Sequence, residues 1–170
     1  VKKIAVAPEY EGAVQFTADA VKSGVVVALG HSAATCAEAQ ACLDAGAKVF
    51  VHTYNGMSGL HHREPGMVGA ALSSQDKSFS ELICDGTARL KDGGSLAGSI
   101  LNMKDAVKNV ADWGVATKAE AIYMATQAPA EANDIADECG SIRPGRHADF
   151  VVLNPDLTLA ETYLGGESVY

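Results

Sequence analysis

Apolar residues along this chain fall into short continuous runs separated by stretches of helical period, the texture of strands alternating with helices. Residues 2–7 (KKIAVA) read as a strand stopped at Pro8, with Glu9 just beyond. Over residues 11–23, Val14, Ala18 and Val21 fall four and three apart, the spacing of one helix face, and Gly24 ends the element. The run from Val25 to Leu29 is wholly apolar, as a parallel strand covered on both faces would be. Thr35 with Glu38 has capping-box spacing for a helix over 36–45, and Gly46 follows as its stop. Residues 48–51 form the next strand. Residues 54–68 show no period and contain Gly56, Gly59, Pro65 and Gly66, which predicts a long loop of the kind that often carries function. Residues 79–84 read as a further strand ending at Asp85-Gly86.

Beyond Asp85-Gly86 the alternation fails. A helix is due, but TARLKDGGSLAG supplies only a hairpin-like turn around Asp92-Gly93-Gly94. A helix over 99–113 follows, with Ile100, Met103, Val107 and Val110 on one stripe. Two more helical pieces cover 118–126 and 129–136, the second opening on a proline at an acceptable first-turn position. From Gly140 the chain turns to short β-rich segments broken by Pro144-Gly145 and Asn154-Pro155, with strands expected over 150–153 and 157–163. This tail predicts a small β layer separate from the α/β body.

Composition narrows the classes. Among 170 residues, 13 Lys+Arg stand against 21 Asp+Glu, a formal charge of -8, which argues against a broad nucleic-acid-binding face. No apolar run approaches membrane-spanning length and no charged-then-apolar leader opens the chain, so neither nucleic acid nor a membrane is expected as a partner. Cys36, Cys42, Cys84 and Cys139 lack zinc-finger spacing and read as reduced core thiols of a cytoplasmic protein.

The candidate chemistry lies at two strand ends. His31 and His52 follow consecutive predicted strands by one or two residues, and in parallel α/β folds that rim carries the site. Neighbouring parallel strands lie about 5 Å apart, so imidazoles at matched heights reach one ion. Neutral imidazoles suit zinc or ferrous iron, with a carboxylate and a water completing a catalytic site. Ser32 reads as a cap or supporting donor, because no acid–base partner marks it as a nucleophile. Asn55 and Gly56 offer an amide and a freely turning backbone N–H near His52. Arg63 either pairs with Glu64 or makes a two-pronged phosphate contact. His61 and His62 cannot both face one point, though either could meet an anion. Asp85, at a strand end before glycine, is either a carboxylate ligand or, more commonly for that place, a turn cap, and Asp149 reads as structural.

The runs GHSAAT, VHTYNGMSGLHHREPGMVGAAL, ELICDG, GGSLAGSILNMKDAVKN and GSIRPGRHADFVVLNPD together resemble the N-acetylglucosamine-6-phosphate deacetylases of the amidohydrolase superfamily, over nearly the whole chain. The resemblance implies an α/β fold: an incomplete metal-dependent (β/α)8 TIM barrel over residues 1–136, and part of a small β-sandwich domain over 137–170. It implies a divalent metal, zinc or iron, on His31 and His52, at the ends of the fifth and sixth barrel strands. Asn55 and Gly56 match the sugar-phosphate site, Arg63 its phosphate-binding arginine, and Leu96, Ala97 and Gly98 the segment lining the sugar pocket. A homodimer acting on an amino-sugar phosphate in the cytoplasm is implied as well. The family usually has alanine where Gly56 stands. Its metal-binding glutamate would precede residue 1, and its carbonyl-polarising histidine and catalytic aspartate find no counterpart here. A segment is therefore expected to be missing between Gly86 and Thr87. Two rival readings are an amidohydrolase acting on another amide, and a non-catalytic remnant that binds metal or sugar phosphate.

Overall fold

The computed structural model describes residues 1–84, 87–89, 96–99 and 101–170. The chain divides into two compact units, Val1–Leu82 and Ile83–Tyr170. The first contains β1 (Lys3–Val6), α1 (Ala13–Lys22), β2 (Val26–Leu29), α2 (Cys36–Asp44), β3 (Val49–Phe50), α3 (Gly66–Ser73) and β4 (Phe79–Ser80). The four strands form one sheet in the order β1-β2-β3-β4, and every pair is parallel. Val6 stands opposite Leu29, Leu29 opposite Phe50, and Phe50 opposite Ser80, so the strands finish level. The segments leaving their C-terminal ends therefore emerge on one rim.

The fold is α/β, as the pattern predicts, and among the described residues the sheet stays open. Val27, Leu29, Val49 and Phe50 are fully buried, and helices pack on the face that carries Val27, Leu29 and Phe50. Each such side chain contributes about 1.5–3 kcal/mol by leaving water. Leu29 and Phe50 share a core with Ala39 and Cys42 of α2 and Met67 and Ala70 of α3. Lys3 on β1 pairs with Glu81 beyond β4 at 2.5 Å. In a flat four-stranded sheet the outer strands would lie about 14 Å apart, so this pair spans the concave side of a curved sheet.

Three expectations change. Helix α1 buries Ala13 and Thr17, while Val14 and Val21 remain 44% and 36% exposed, so its inward face lies beside the stripe read from the sequence. The expected loop ends at Pro65, where α3 begins. Gly66 to Ala71 are all buried, and a helix apolar all round has no period to betray it. The last strand of the sheet covers only Phe79 and Ser80.

The second unit holds β5 (Thr87–Arg89), β6 (Leu96–Ser99), α4 (Met103–Asp112), α5 (Lys118–Ala125), α6 (Gln127–Ala132), β7 (Phe150–Leu153), β8 (Leu159–Leu164) and β9 (Glu167–Ser168). Strands β5 and β6 pair antiparallel, in keeping with the expected hairpin, and β7-β8-β9 form the antiparallel layer expected of the tail. Val107 and Val110 of α4 pack with Ala121 of α5 and Leu157, but Met103, assigned to the same stripe, is 68% exposed. Arg146 ties down the segment before β7 by donating to the carbonyls of Ala136 and Cys139 and to the Ser141 hydroxyl. The Asp149 carboxylate accepts from the Gly165 N–H at 2.7 Å, a structural part in keeping with its reading. Asp85, Gly86 of the suspected junction, and the Asp92-Gly93-Gly94 turn lie outside the described residues. Cys36, Cys42 and Cys139 stand outside any disulfide, and Cys139 is exposed and no core thiol. Burial pushes the Cys42 thiol up, with the neighbouring Thr17 hydroxyl opposing it. Among the described residues no helix is long and apolar enough to cross a membrane.

Candidate functional site

Three strand ends build the rim of the first unit. After β2 the chain passes Gly30, where a Cβ would stand 2.4 Å from Val51 Cγ2, so glycine alone lets this strand end close against the one after β3. The two imidazoles are thereby brought together. The ring centres of His31 and His52 lie 5.6 Å apart with their planes at 86°, edge to face. Both residues adopt left-handed backbone, φ 51° and 34°, and Tyr54 follows at 80°. Such conformations cost on the order of 1–3 kcal/mol each and persist where surrounding contacts impose them.

The contacts that impose them are visible. His52 Nδ1 donates to the Asn55 carbonyl at 2.9 Å, which leaves Nε2 as the free acceptor, the tautomer a metal ligand needs. Thr53 N–H donates to the Glu81 carbonyl beyond β4 at 2.7 Å, holding the His52 turn from the other side. Ser32 N–H donates to the Gly56 carbonyl at 2.7 Å, and Ser58 N–H to the Ser32 carbonyl at 3.0 Å. The segment after His31 is thus stitched to the segment after His52, and Ser32 pairs with Met57 as an isolated parallel bridge. Gly56 touches the His31 ring closely: a Cβ there would stand 3.0 Å from Nδ1.

Glu9 beyond β1 completes the rim. Its carboxylate accepts from the Ser32 hydroxyl at 2.5 Å and from the Ala33 N–H at 3.0 Å. Burial opposes ionisation of Glu9, but these hydrogen bonds outweigh it and hold the carboxyl below its ordinary value. Ser32 is therefore a supporting donor, as expected. The part played by Glu9 has no signal in the sequence, because its partners lie more than twenty residues away.

The rest of the loop carries Arg63. Glu64 accepts from the N–H groups of Cys36, at the start of α2, and Gly66, at 2.7 and 3.0 Å, and the first of these does most to keep its carboxyl below the ordinary range. Glu64 thus serves a helix N-terminus, and the Arg63 guanidinium has no carboxylate partner among the described residues. Arg63 is exposed, its N–H donating to His61 Nδ1 at 3.2 Å, and the His61 and His62 rings tilt against each other at 4.2 Å.

His31, His52, Asn55 and Gly56 come together on one rim; Arg63 sits on the exposed loop of the same unit. Leu96, Ala97 and Gly98 belong to β6 in the second unit. The paired imidazoles fit a divalent metal as two neutral nitrogen donors, one with its tautomer set. Among the described residues no group of three His, Cys, Asp or Glu side chains forms a complete cage. The rim therefore offers part of a donor set.

Residues 61–169 match the model of the amidohydrolase family. The chain is 36% identical over 211 residues to N-acetylgalactosamine-6-phosphate deacetylase of Escherichia coli O157:H7, covering 96% of this chain and 56% of that one. It is 33% identical over 215 residues to N-acetylglucosamine-6-phosphate deacetylase of Vibrio furnissii, covering 99% and 54%. It superposes with a TM-score of 0.88 and 25% identity on a mutant N-acetyl-D-glucosamine-6-phosphate deacetylase from Mycobacterium smegmatis in complex with N-acetyl-D-glucosamine-6-phosphate, covering 99% and 57%. The chain spans little more than half the length of these proteins. The matched stretches of 211 and 215 residues exceed the 170 here, so both relatives carry residues inside the matched region that this chain does not.

Proposed function

The chain belongs to the amidohydrolase family, and from that membership we propose that the protein is a metal-dependent carbohydrate deacetylase, releasing acetate from N-acetylglucosamine 6-phosphate to leave glucosamine 6-phosphate. The observation that carries the reading is the imidazole pair, 5.6 Å between centres, with His52 Nδ1 committed to the Asn55 carbonyl. The family implies a divalent metal, and His31 and His52 are the residues that would hold it, as zinc or iron. When bound, the metal supplies Lewis acidity that makes water a nucleophile near neutral pH and polarises the acetamide carbonyl.

The remaining parts fall to the chain's own groups. The Asn55 carbonyl orients His52, while its side-chain amide and the Gly56 backbone face the sugar phosphate. Arg63, relieved of Glu64, takes the phosphate oxygens with two parallel N–H groups. Leu96, Ala97 and Gly98 are the segment that this reading assigns to the sugar. A carboxylate must take the proton from water and return it to the leaving amine; no aspartate of this chain is assigned that part. The same reading makes the protein a cytoplasmic homodimer. Acting on the galacto epimer, which differs at one sugar hydroxyl, is the second reading, favoured by the 36% identity to the Escherichia coli enzyme.

The test is acetate release by the protein expressed from its complete gene, on N-acetylglucosamine 6-phosphate, N-acetylgalactosamine 6-phosphate and unphosphorylated N-acetylglucosamine, beside metal analysis by mass spectrometry. Faster turnover of the first substrate is expected, with about one metal per subunit. Preference for the second moves the assignment to the galacto epimer. Full metal occupancy after joint His31→Ala and His52→Ala replacement ends the reading of the site.

A further inference from the structure

We propose that Glu9 is the positioning residue of His31, acting through the Ser32–Ala33 turn to hold that imidazole in its metal-binding place. The inference rests on the reading of His31 and His52 as ligands and goes beyond it. The two histidines are oriented by different means. His52 has a hydrogen bond of its own, from Nδ1 to the Asn55 carbonyl. The His31 ring has no hydrogen bond among the described residues; its place is set by its backbone, held at φ 51°, and by packing against the His52 ring and Gly56. That backbone is fixed by the next two residues.

Ser32 and Ala33 are gripped by Glu9 alone from the side of β1: the hydroxyl of Ser32 at 2.5 Å on one carboxylate oxygen, the N–H of Ala33 at 3.0 Å on the other. The Ser32 hydroxyl also accepts from the Ala34 N–H at 3.0 Å, so one side chain both closes the turn and donates to Glu9. Ser32 is 4% exposed, and an unpaired hydroxyl there is costly. Both carboxylate oxygens of Glu9 accept from the Ser32–Ala33 turn, and the part proposed for it is therefore support and not ligation. A carboxylate usually orients a ligating imidazole by accepting from its second nitrogen. Here it acts one residue further on, through the main chain.

The experiment measures zinc affinity by competition with a chromogenic chelator, and the melting temperature of the metal-free protein, for the protein from its complete gene. Glu9→Ala is expected to weaken zinc binding roughly 10- to 100-fold, and Ser32→Ala to act in the same direction. Glu9→Gln, which keeps an acceptor for Ala33 and stays isosteric, falls between wild type and Glu9→Ala and provides the measurement should the alanine variant not fold. Glu38→Gln, at a helix cap on the neighbouring turn, keeps wild-type zinc affinity. Wild-type affinity in Glu9→Gln and Glu9→Ala overturns the proposal, as does a lowered melting temperature with affinity unmoved, which is a structural role only. His52→Ala separates the two ideas: zinc binding that survives it defeats the ligand reading itself, whereas its loss there with retention in the Glu9 variants defeats only the role of Glu9.

Discussion

Glu64 decides what Arg63 is free to do. Its carboxylate is spent on the N–H groups of Cys36 and Gly66, which hold its pKa below the ordinary 4.5. A depressed folded pKa stabilises the fold above the unfolded value, and that stabilisation disappears as pH falls through the folded value. The stability difference between wild type and Glu64→Gln is therefore expected to be widest near neutral pH and to close on the acid side, read from urea melts between about pH 7 and about pH 3. On the proposed reading, Arg63→Lys keeps the charge but loses the fork. Its kcat/KM on the phosphorylated sugar should fall roughly 10- to 100-fold, about 1.5–3 kcal/mol for a charge-assisted contact, with the unphosphorylated sugar unaffected. Equal losses on both would mean that Arg63 supports the loop instead. Gly66 has φ +64°, and a Cβ would meet the carbonyls of Ser58 and Gly59 at 2.7 and 2.8 Å. Gly66→Ala is accordingly expected to destabilise by more than about 1 kcal/mol, seen as a lower urea midpoint. His31, His52 and Arg63 are legible as candidates because strand ends and a glycine-rich loop single them out. Glu9 is not: a carboxylate after a proline reads as solvent-facing until the fold brings Ser32 to it.

The helices are legible where local chemistry marks them. Thr35 and Glu38 form the reciprocal capping box that their spacing predicts, and Thr117 with Glu120 forms another at the start of α5. Thr35→Ala should cost about 1 kcal/mol in chemical denaturation, since it strands the Glu38 N–H that the hydroxyl now satisfies. Helix α3 is hidden because its apolar residues wrap the whole circumference and Pro65-Gly66 looks like a turn signal. Its buried face is fixed by β3 and α2, which the local sequence does not contain. Helix α1 is plain in the sequence, but its inward face is not: small Ala13 and buried Thr17 face inward, where the sheet leaves little room, and larger Val14 and Phe16 point away.

For the molecule as a whole, the donor set, incomplete among the described residues, sets the expectation. Two neutral imidazoles without an anionic third ligand hold zinc weakly, so a polypeptide of these 170 residues alone should bind it loosely and release no measurable acetate. Tight zinc in that polypeptide would favour the remnant reading. The alternation of strand and helix establishes the α/β class, yet closure of the sheet depends on residues that no local pattern here encodes. The order of the strands has a separate consequence. In space they stand as β1-β2-β3-β4, the order in which a ribosome makes them. Each strand docks on the one made just before it, from Lys3 to Val26, from Ala28 to Val49, and from Val49 to Phe79. The entropy of closing such loops grows only with the logarithm of their length, so no pairing waits for a remote segment. A nascent chain that has emerged through α3 has every residue of β1, β2 and β3 outside the exit tunnel, whereas the Glu81 carbonyl that holds the His52 turn arrives only afterwards.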